Sequence, residues 1–276
     1  MIAVQLTNGF GNNLFQYIAG RQLAEFHKTG IVALPPMSNY YASEGLESLG
    51  VNFEGQTDGL DFIRVGEPNY RDVFDKLYEK HDFLVQGYFE DYTFFLDNIE
   101  TIRSWFPKID KRGDNDLVIH FRAGDRLFYK NEFNTKPGVD SYKRAIDQFN
   151  FDRMHIVTDM PKWDYITVEE LDSMKFHHDV PKEDRVKTQL AVEYFNSFID
   201  AFSEYRPLVE KRTVAEDFNF MRSFDNILFQ HGTLSWWASV LSDARRVGVY
   251  GPWRPWKEKS NKNLSEVPLK TWFKWG

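Results

Sequence analysis

The sequence contains no cysteine. Disulfide bonds, cysteine-ligated zinc sites, iron–sulfur clusters and cysteine nucleophiles are therefore excluded. Positive charge is in deficit: 34 Lys and Arg residues stand against 41 Asp and Glu residues, for a net charge of −7. Because no basic run or stripe stands out, we expect no nucleic-acid partner.

Long apolar runs are missing as well. No stretch of the chain approaches the roughly 18 consecutive apolar residues that a transmembrane helix needs. Met1 leads directly into the short β-prone segment 2–6, without the positively charged start of a signal peptide. These features predict a cytoplasmic protein with no transmembrane anchor.

The residues that are present have the balance of a globular protein, with 42% hydrophobic and 27% charged side chains. Segments of β type alternate with segments of helical spacing, a pattern typical of parallel α/β sheets. The predicted strands are residues 2–6, 31–34, 83–89, 117–121, 154–158, 226–229 and 247–250. The predicted helices are residues 14–26, 98–106, 140–149, 187–204, 217–224 and 234–244. Residues 37–80 predict only small helices and loops.

A change of composition divides the chain. Residues 107–116 are charged, contain proline and glycine and carry few apolar side chains, which predicts a domain linker. We therefore expect an N-terminal α/β domain over residues 1–110 and a C-terminal α/β domain over residues 111–276. Two successive α/β halves predict two Rossmann-type domains, whose ligands bind outside the carboxyl ends of the strands.

The first motif is N-G-F-G-N-N-L-F-Q-Y at residues 8–17, between a predicted strand and a predicted helix. Gly9 and Gly11 let a ligand approach the backbone, and a helix N-terminus favours negative charge. Leu14 replaces the third glycine of the dinucleotide-binding pattern, so the motif is not that fingerprint. Taken alone, the glycines favour a tight turn over a ligand-binding loop.

Two further motifs follow predicted strands of the second half. In H-F-R-A-G-D at residues 120–125, Arg122 suits a pyrophosphate because its planar fork donates two hydrogen bonds at once. Asp125 can orient Arg122 or its loop, and the alternative is a loop salt bridge without a ligand. Residues 232–235 form a small polar turn before a helix, which is a second candidate anion site. Trp236 and Trp237 after it are predicted to be core residues.

Two strings could hold a metal ion, and we predict that neither does. Asp114-Asn115-Asp116 is a D-x-D string, but it precedes its strand and so lies at the wrong end of the sheet. We predict that it is a solvated linker. The neighbouring residues of His177-His178-Asp179 point in opposite directions on an extended segment, which disfavours a shared metal.

Taken together, these strings resemble the α-1,2-fucosyltransferase family (glycosyltransferase family 11) and its relatives, the α-1,6- and protein O-fucosyltransferases. Residues 8–17 are similar to the family opening G-G-L-G-N-Q-M-F-Q-Y, and residues 87–95 to G-Y-F-Q-S-E-K-Y-F. Residues 120–125 resemble H-x-R-R-G-D, residues 154–159 a strand ending in F-S-D-D, and residues 227–237 the block I-x-x-N-S-T-F-S-W-W. The five blocks occur in family order across most of the chain.

The resemblance implies a GT-B-like fold, in which two Rossmann-type domains face each other across a cleft. It implies an inverting, metal-independent transfer of fucose from GDP-fucose to a glycan hydroxyl, with the nucleotide sugar as substrate and no cofactor. In this family pattern the N-terminal domain serves the acceptor and the C-terminal domain serves the donor.

The resemblance also implies roles for single residues. His120 and Asp217 match positions that read the guanine, and Arg122 matches the arginine on the β-phosphate. Asn12, beside Gly9 and Gly11, matches a residue that reaches the donor from the first domain. The turn that holds the pyrophosphate is matched by Thr233, Leu234 and Ser235.

Asp125 and Asp159 are the nearest matched carboxylates for a general base. The sequence departs from the family pattern at three places near the expected donor pocket: Ala123 for the second arginine, Asn13 for a glutamine, and Q-H-G at residues 230–232 for S-N-S. Two alternatives therefore stay open. One is a transferase of the same fold that uses another GDP- or UDP-sugar, and the other is a non-catalytic module that binds a sugar nucleotide or a glycan.

Overall fold

The structure is a computed structural model that describes residues 1–7, 9–34, 45–55, 57–78, 81–129, 136–176, 180–251, 264–267 and 269–276. The chain forms two compact units. The first consists mainly of residues 1–108, and residues 213–216 group with it. The second consists mainly of residues 109–212, 217–251 and 265–276. The predicted domain boundary after residue 110 lies two residues beyond this division.

The first unit contains a parallel sheet of four strands in the order β2-β1-β4-β3. The strands are β1 (Ile2–Gln5), β2 (Ile31–Leu34), β3 (Phe62–Val65) and β4 (Asp82–Val85). Helix α1 (Phe10–His27) connects β1 to β2, and the short helix α2 (Ile99–Ser104) follows β4. The apolar residues Leu14, Ile18 and Leu23 of α1 are fully buried, as their helical spacing predicts. Strand β3 was not predicted, because it lies in the stretch that was expected to hold only helices and loops.

The second unit contains a parallel sheet of six strands in the order β10-β9-β8-β5-β6-β7. The strands are β5 (Leu117–Phe121), β6 (Met154–Thr158), β7 (Leu208–Val209), β8 (Asn226–Phe229), β9 (Arg246–Tyr250) and β10 (Trp272–Trp275). Counted within this unit from β7 to β10, the order is 3-2-1-4-5-6, which is compatible with a Rossmann-like fold. The predicted α/β class is therefore confirmed.

Helices connect these strands in the second unit. They are α3 (Val139–Ile146), α4 (Val168–Ser173), α5 (Thr188–Phe202), α6 (Val214–Arg222) and α7 (Thr233–Val240). An aromatic core packs between sheet and helices, where the Phe121 ring of β5 lies 4.8 Å from Phe198 of α5 and 5.8 Å from Tyr142 of α3. Trp236 and Trp237 of α7 are buried, which confirms their prediction as core residues.

The connections of this sheet leave β5 in opposite directions, towards β6 on one side and towards β8 on the other. A crevice forms outside the carboxyl ends of the strands at such a switch point, and ligands of open α/β sheets bind there. The fold therefore singles out the residues that directly follow β5 and β8. Within the described residues, no helix is long and apolar enough to cross a membrane.

Candidate functional site

The candidate site lies at the carboxyl edge of the second sheet, at the switch point between β5 and β8. Residues 122–125 follow β5, and residues 230–233 follow β8 and lead into α7. Asp159 follows β6, which pairs with β5 on its other side. Three chain segments thus bring polar side chains to one edge of the sheet.

Arg122 is held by two carboxylates. Its Nη2 donates to Asp125 Oδ1 at 2.9 Å, and its Nη1 lies 3.0 Å from Asp159 Oδ2. The Asp125 side chain is only 4% exposed, whereas Arg122 and Asp159 are about one quarter exposed, at 24% and 25%. The two acids fix the orientation of a guanidinium that still reaches the surface, which suits recognition of a phosphate group.

Asp159 also binds the backbone of the loop that follows β5. Its Oδ1 accepts the N–H of Ala123 at 2.8 Å. A Cβ atom at Gly124 would overlap Asp159 Oδ2, so only glycine allows the carboxylate to approach this closely. The predicted candidate Asp159 is thus a structural link between the ends of β5 and β6 as well as a partner of Arg122.

The turn between β8 and α7 presents a helix N-terminus to the same edge. Gly232 has a φ of 142°, which favours glycine, and as the residue before α7 it has no side chain with which to cap the helix. No acidic residue lies in the first turn of α7, which contains Thr233 and Leu234. Backbone N–H groups at a helix start attract anions, so this turn can bind a phosphate oxygen.

His120, near the end of β5, is buried under this turn and bound to it. Its Nδ1 lies 3.0 Å from Ser235 Oγ, which in turn lies 3.0 Å from the carbonyl oxygen of Gly232. Burial lowers the pKa of His120 to about 4, so the ring is neutral at pH 7. The hydroxyl group of Ser235 therefore supports His120, although the family resemblance places this residue in the pyrophosphate turn.

His231, in the turn between β8 and α7, is surrounded by positive charge. Burial lowers its pKa to about 3, and the charges of Arg126, Lys136 and Arg122 act in the same direction. Lys136 Nζ donates a hydrogen bond to the carbonyl oxygen of Arg126, which joins two of these cations. At His231 these cations act together, and a local excess of positive charge attracts anionic ligands.

Gln230 is a residue of this edge that sequence reasoning identified only as a departure from the family pattern. Its Nε2 donates to the carbonyl oxygen of Arg122, so it joins the ends of β8 and β5. Its Oε1 is buried and has no hydrogen-bond partner among the described residues. The sequence signal that could have identified Gln230 is its position directly after the apolar segment of β8.

Asp217, the predicted reader of guanine, lies in α6. Its Oδ1 is 3.8 Å from Arg212 Nη1. The Arg212 guanidinium also stacks on the ring of Phe220, with its central carbon 3.5 Å from the ring centre, and pairs with Glu210. The structure thus places Asp217 beside the fixed guanidinium of Arg212. A bound base would share the Asp217 carboxylate with this guanidinium.

The first-unit candidates lie at the start of α1. Gly9 precedes the helix with an ordinary extended backbone, φ −83°, and a Cβ atom there would meet nothing within 4 Å. Neither backbone nor packing therefore requires glycine at position 9. Gly11 is buried and Asn12 is partly buried in the first turn of the helix. Asn8 of the same motif lies outside the described residues.

The D-x-D string is a solvated linker only in part: Asp114 and Asn115 are exposed, as predicted, but the prediction was wrong for Asp116. Asp116 is buried, with its Oδ2 2.8 Å from His155 Nε2 and 3.5 Å from Arg112 Nη2. The carboxylate is buried because β5 begins at the next residue and carries it into the amino edge of the sheet. His177-His178-Asp179 lies outside the described residues. Among the described residues, no group of three or more His, Asp or Glu side chains could hold a metal ion.

The carboxyl edge thus combines an oriented guanidinium, an uncapped helix start and a neutral, buried imidazole. Guanidinium and backbone N–H groups bind anions, whereas a neutral imidazole can accept or donate a hydrogen bond. This combination suits a ligand with both a phosphate and a polar organic group. Comparison with protein families, curated proteins and solved structures finds no significant match to this chain.

Proposed function

We propose that the protein is an inverting, metal-independent glycosyltransferase that transfers fucose from GDP-fucose to a hydroxyl group of a glycan. We further propose that its two α/β units form a GT-B arrangement. The observation that carries the proposal is Arg122, which is fixed by two carboxylates beside the uncapped start of α7 at the switch point. The choice of fucose as the sugar and of GDP as the nucleotide rests on the resemblance of the ordered motifs to the fucosyltransferase family.

In this proposal the diphosphate of the donor binds Arg122 and the N–H groups at the start of α7. The acceptor oxygen attacks the anomeric carbon while the bond from that carbon to the diphosphate oxygen breaks. Negative charge then grows on the departing GDP, and preorganised cationic and N–H donors stabilise it. Arg122 and the helix start provide the positive charge for which other transferases use a metal ion.

The two carboxylates beside Arg122 have different roles in this proposal. Asp125 is buried and bonded to the guanidinium, so it orients Arg122. Asp159 is the more exposed of the two acids, and it is the candidate that takes the proton of the acceptor hydroxyl. Because GDP is a good leaving group, the reaction needs little help from a general base.

Base recognition in this proposal depends on His120 and Asp217. A carboxylate only accepts hydrogen bonds, and it can accept both N1–H and N2–H of guanine, whereas uracil offers a single N–H donor. Asp217→Asn replaces one acceptor oxygen by a donor, which mismatches the pair at about 1–3 kcal/mol. Calorimetry should therefore show GDP binding more tightly than UDP, with most of that preference lost in Asp217→Asn.

A panel of nucleotide sugars tests the proposal. We expect GDP release from GDP-fucose in the presence of an acceptor glycan, at equal rates in EDTA and in Mg²⁺ or Mn²⁺. Release only from another GDP-sugar or a UDP-sugar would favour the second candidate, for which the replacement of arginine by Ala123 is the supporting observation. Nucleotide binding without release from any donor would identify a binding module, and rates that collapse in EDTA and return with metal would overturn the metal-independent mechanism.

A further inference from the structure

The contacts of His120 fix the position of the proton on its ring. Ser235 has one hydroxyl proton and two neighbours, His120 Nδ1 and the Gly232 carbonyl oxygen, each at 3.0 Å. If the hydroxyl donated to the ring, its oxygen would face the carbonyl oxygen with no proton between them. If the ring donates from Nδ1 instead, the hydroxyl is free to donate to the carbonyl, and every contact is satisfied.

The second ring nitrogen, Nε2, then carries a lone pair. A neutral histidine has only one N–H group, so a proton on Nδ1 makes Nε2 an acceptor. No described residue forms a hydrogen bond with this nitrogen. The ring is only 4% exposed and lies at the switch point, beside the turn of Gly232. A ligand atom that donates a hydrogen bond would satisfy this buried acceptor.

We propose that Ser235 holds His120 with its proton on Nδ1, so that Nε2 accepts a hydrogen bond from an N–H or O–H group of the bound nucleotide. His120 is then a specificity residue and Ser235 its positioning residue. The identity of the ligand rests on the proposed function, whereas the position of the proton does not. The donor group is an N–H of the base or a hydroxyl of the ribose, which share this chemistry.

The position of the proton can be tested without any ligand. In protein labelled with ¹⁵N-histidine, NMR at pH 7 distinguishes the two neutral forms, and His120→Gln identifies the signal among the seven histidines. We expect the Nδ1–H form in the parent and in Ser235→Thr, which keeps the hydroxyl group. Ser235→Ala should lose this preference. An Nε2–H form in the parent would overturn the proposal.

Nucleotide binding tests the acceptor role. We expect Ser235→Ala to weaken GDP binding about tenfold, the effect of one lost hydrogen bond, and Ser235→Thr to restore it. Addition of GDP should also shift the Nε2 resonance of His120 in the parent. Unchanged GDP affinity in Ser235→Ala, with the Nδ1–H form lost, would overturn the acceptor role.

Two GDP analogues identify the donor group. IDP lacks the 2-amino group of guanine, and 2′-deoxy-GDP lacks one ribose hydroxyl. We expect one of them to bind the parent more weakly than GDP and to show no such loss in Ser235→Ala. If both analogues bind the parent as tightly as GDP, and GDP also leaves the Nε2 resonance of His120 unshifted, the acceptor role is wrong. If no nucleotide binds the parent, the proposed function fails together with the acceptor role, while the NMR spectra alone decide the position of the proton.

Discussion

The two sheets of this protein end differently at their carboxyl edges. In the first unit, Gln16 of α1 joins the ends of β1 and β4: its Oε1 accepts the Thr7 N–H at 2.9 Å, and its Nε2 donates to the Gly87 carbonyl oxygen at 2.7 Å. In the same unit, Glu67 Oε1 accepts the N–H groups of Tyr88 and Phe89 at 2.7 and 2.8 Å. The polar side chains of this edge thus bind the backbone groups of the neighbouring turns, and we call it the closed edge.

In the second unit, the corresponding edge keeps binding capacity. The Gln230 Oε1 and the His120 Nε2 have no hydrogen-bond partner among the described residues. At both edges a glycine precedes a helix that starts without a side-chain cap, so that feature alone does not distinguish them. What distinguishes them is whether neighbouring side chains already satisfy the backbone and polar groups of the turn.

Breaking the closed edge should have the largest effect. Gln16→Leu removes the amide and leaves the Thr7 N–H and the Gly87 carbonyl with fewer partners, so we expect a loss of about 3 kcal/mol in the free energy of unfolding. Urea unfolding measures it. Gln189, which is exposed and among the described residues forms a side-chain hydrogen bond with Glu193 alone, provides the control, since Gln189→Leu should stay within about 0.5 kcal/mol of the parent. Equal effects of the two variants would contradict the closed edge.

Arg122→Lys should weaken nucleotide binding at the open edge. Lysine keeps the charge beside the buried Asp125 but cannot donate as a planar fork, so we expect a loss of about 10- to 100-fold in GDP affinity. Calorimetry measures it. Arg112 at the amino edge of the same sheet also contacts two acids, Asp114 and Asp116, which makes Arg112→Lys the matched control. An equal loss of affinity in Arg112→Lys would remove the special role of the carboxyl edge.

Acid should destabilise the unit that contains the open edge. The pKa of His120 is lowered to about 4 when folded, so the unfolded chain takes up the proton first as the pH falls. The stability gained by keeping the ring neutral is complete above about pH 6.5 and is lost as the pH falls towards 4. Between pH 7 and pH 5 we expect the free energy of unfolding to fall by roughly 1–2 kcal/mol through this residue. Unfolding curves of His120→Gln should show a shallower dependence, and an unchanged slope would contradict the buried neutral ring.

The smallest effect concerns two buried tyrosines, one in each unit. Tyr70 OH donates to the Ala19 carbonyl oxygen at 2.9 Å and accepts from Gln22 at 3.1 Å. Tyr142 OH is buried with no hydrogen-bond partner among the described residues. We therefore expect Tyr70→Phe to destabilise the protein by about 1–2 kcal/mol, and Tyr142→Phe to be neutral or stabilising by up to about 1 kcal/mol. Thermal unfolding of the pair checks this, and a destabilising Tyr142→Phe would show that its hydroxyl is satisfied.

In the second sheet, the sequence predicted the central strands better than the edge strands. β5, β6 and β8 match the prediction to the residue, because strands buried on both faces are continuous apolar runs. β2, an edge strand of the first sheet, also matches to the residue. β7 has only two residues and β10 is a tryptophan-rich segment, and both lie at the edges of the second sheet. Little in the local pattern distinguishes such short edge strands from loops.

The candidate site was predictable in its positions but not in its contacts. The strand-end rule located Arg122, Asp159 and the turn at residues 232–235. The bond from Asp159 to the Ala123 N–H and the bond between His120 and Ser235 join residues that are distant in the chain. Spacing carries no signal for such pairs, so which polar groups stay available for a ligand follows only from the folded chain.

The close approach of Asp159 to Gly124 has a consequence for how this protein can vary. Every amino-acid replacement at position 124 adds a Cβ atom that overlaps the carboxylate of Asp159. In a mutagenesis library restricted to position 124, we therefore expect glycine to be strongly favoured among variants that keep both bonds of Asp159. A library that randomises both positions gains new solutions, because a shorter residue 159 makes room for a side chain at 124.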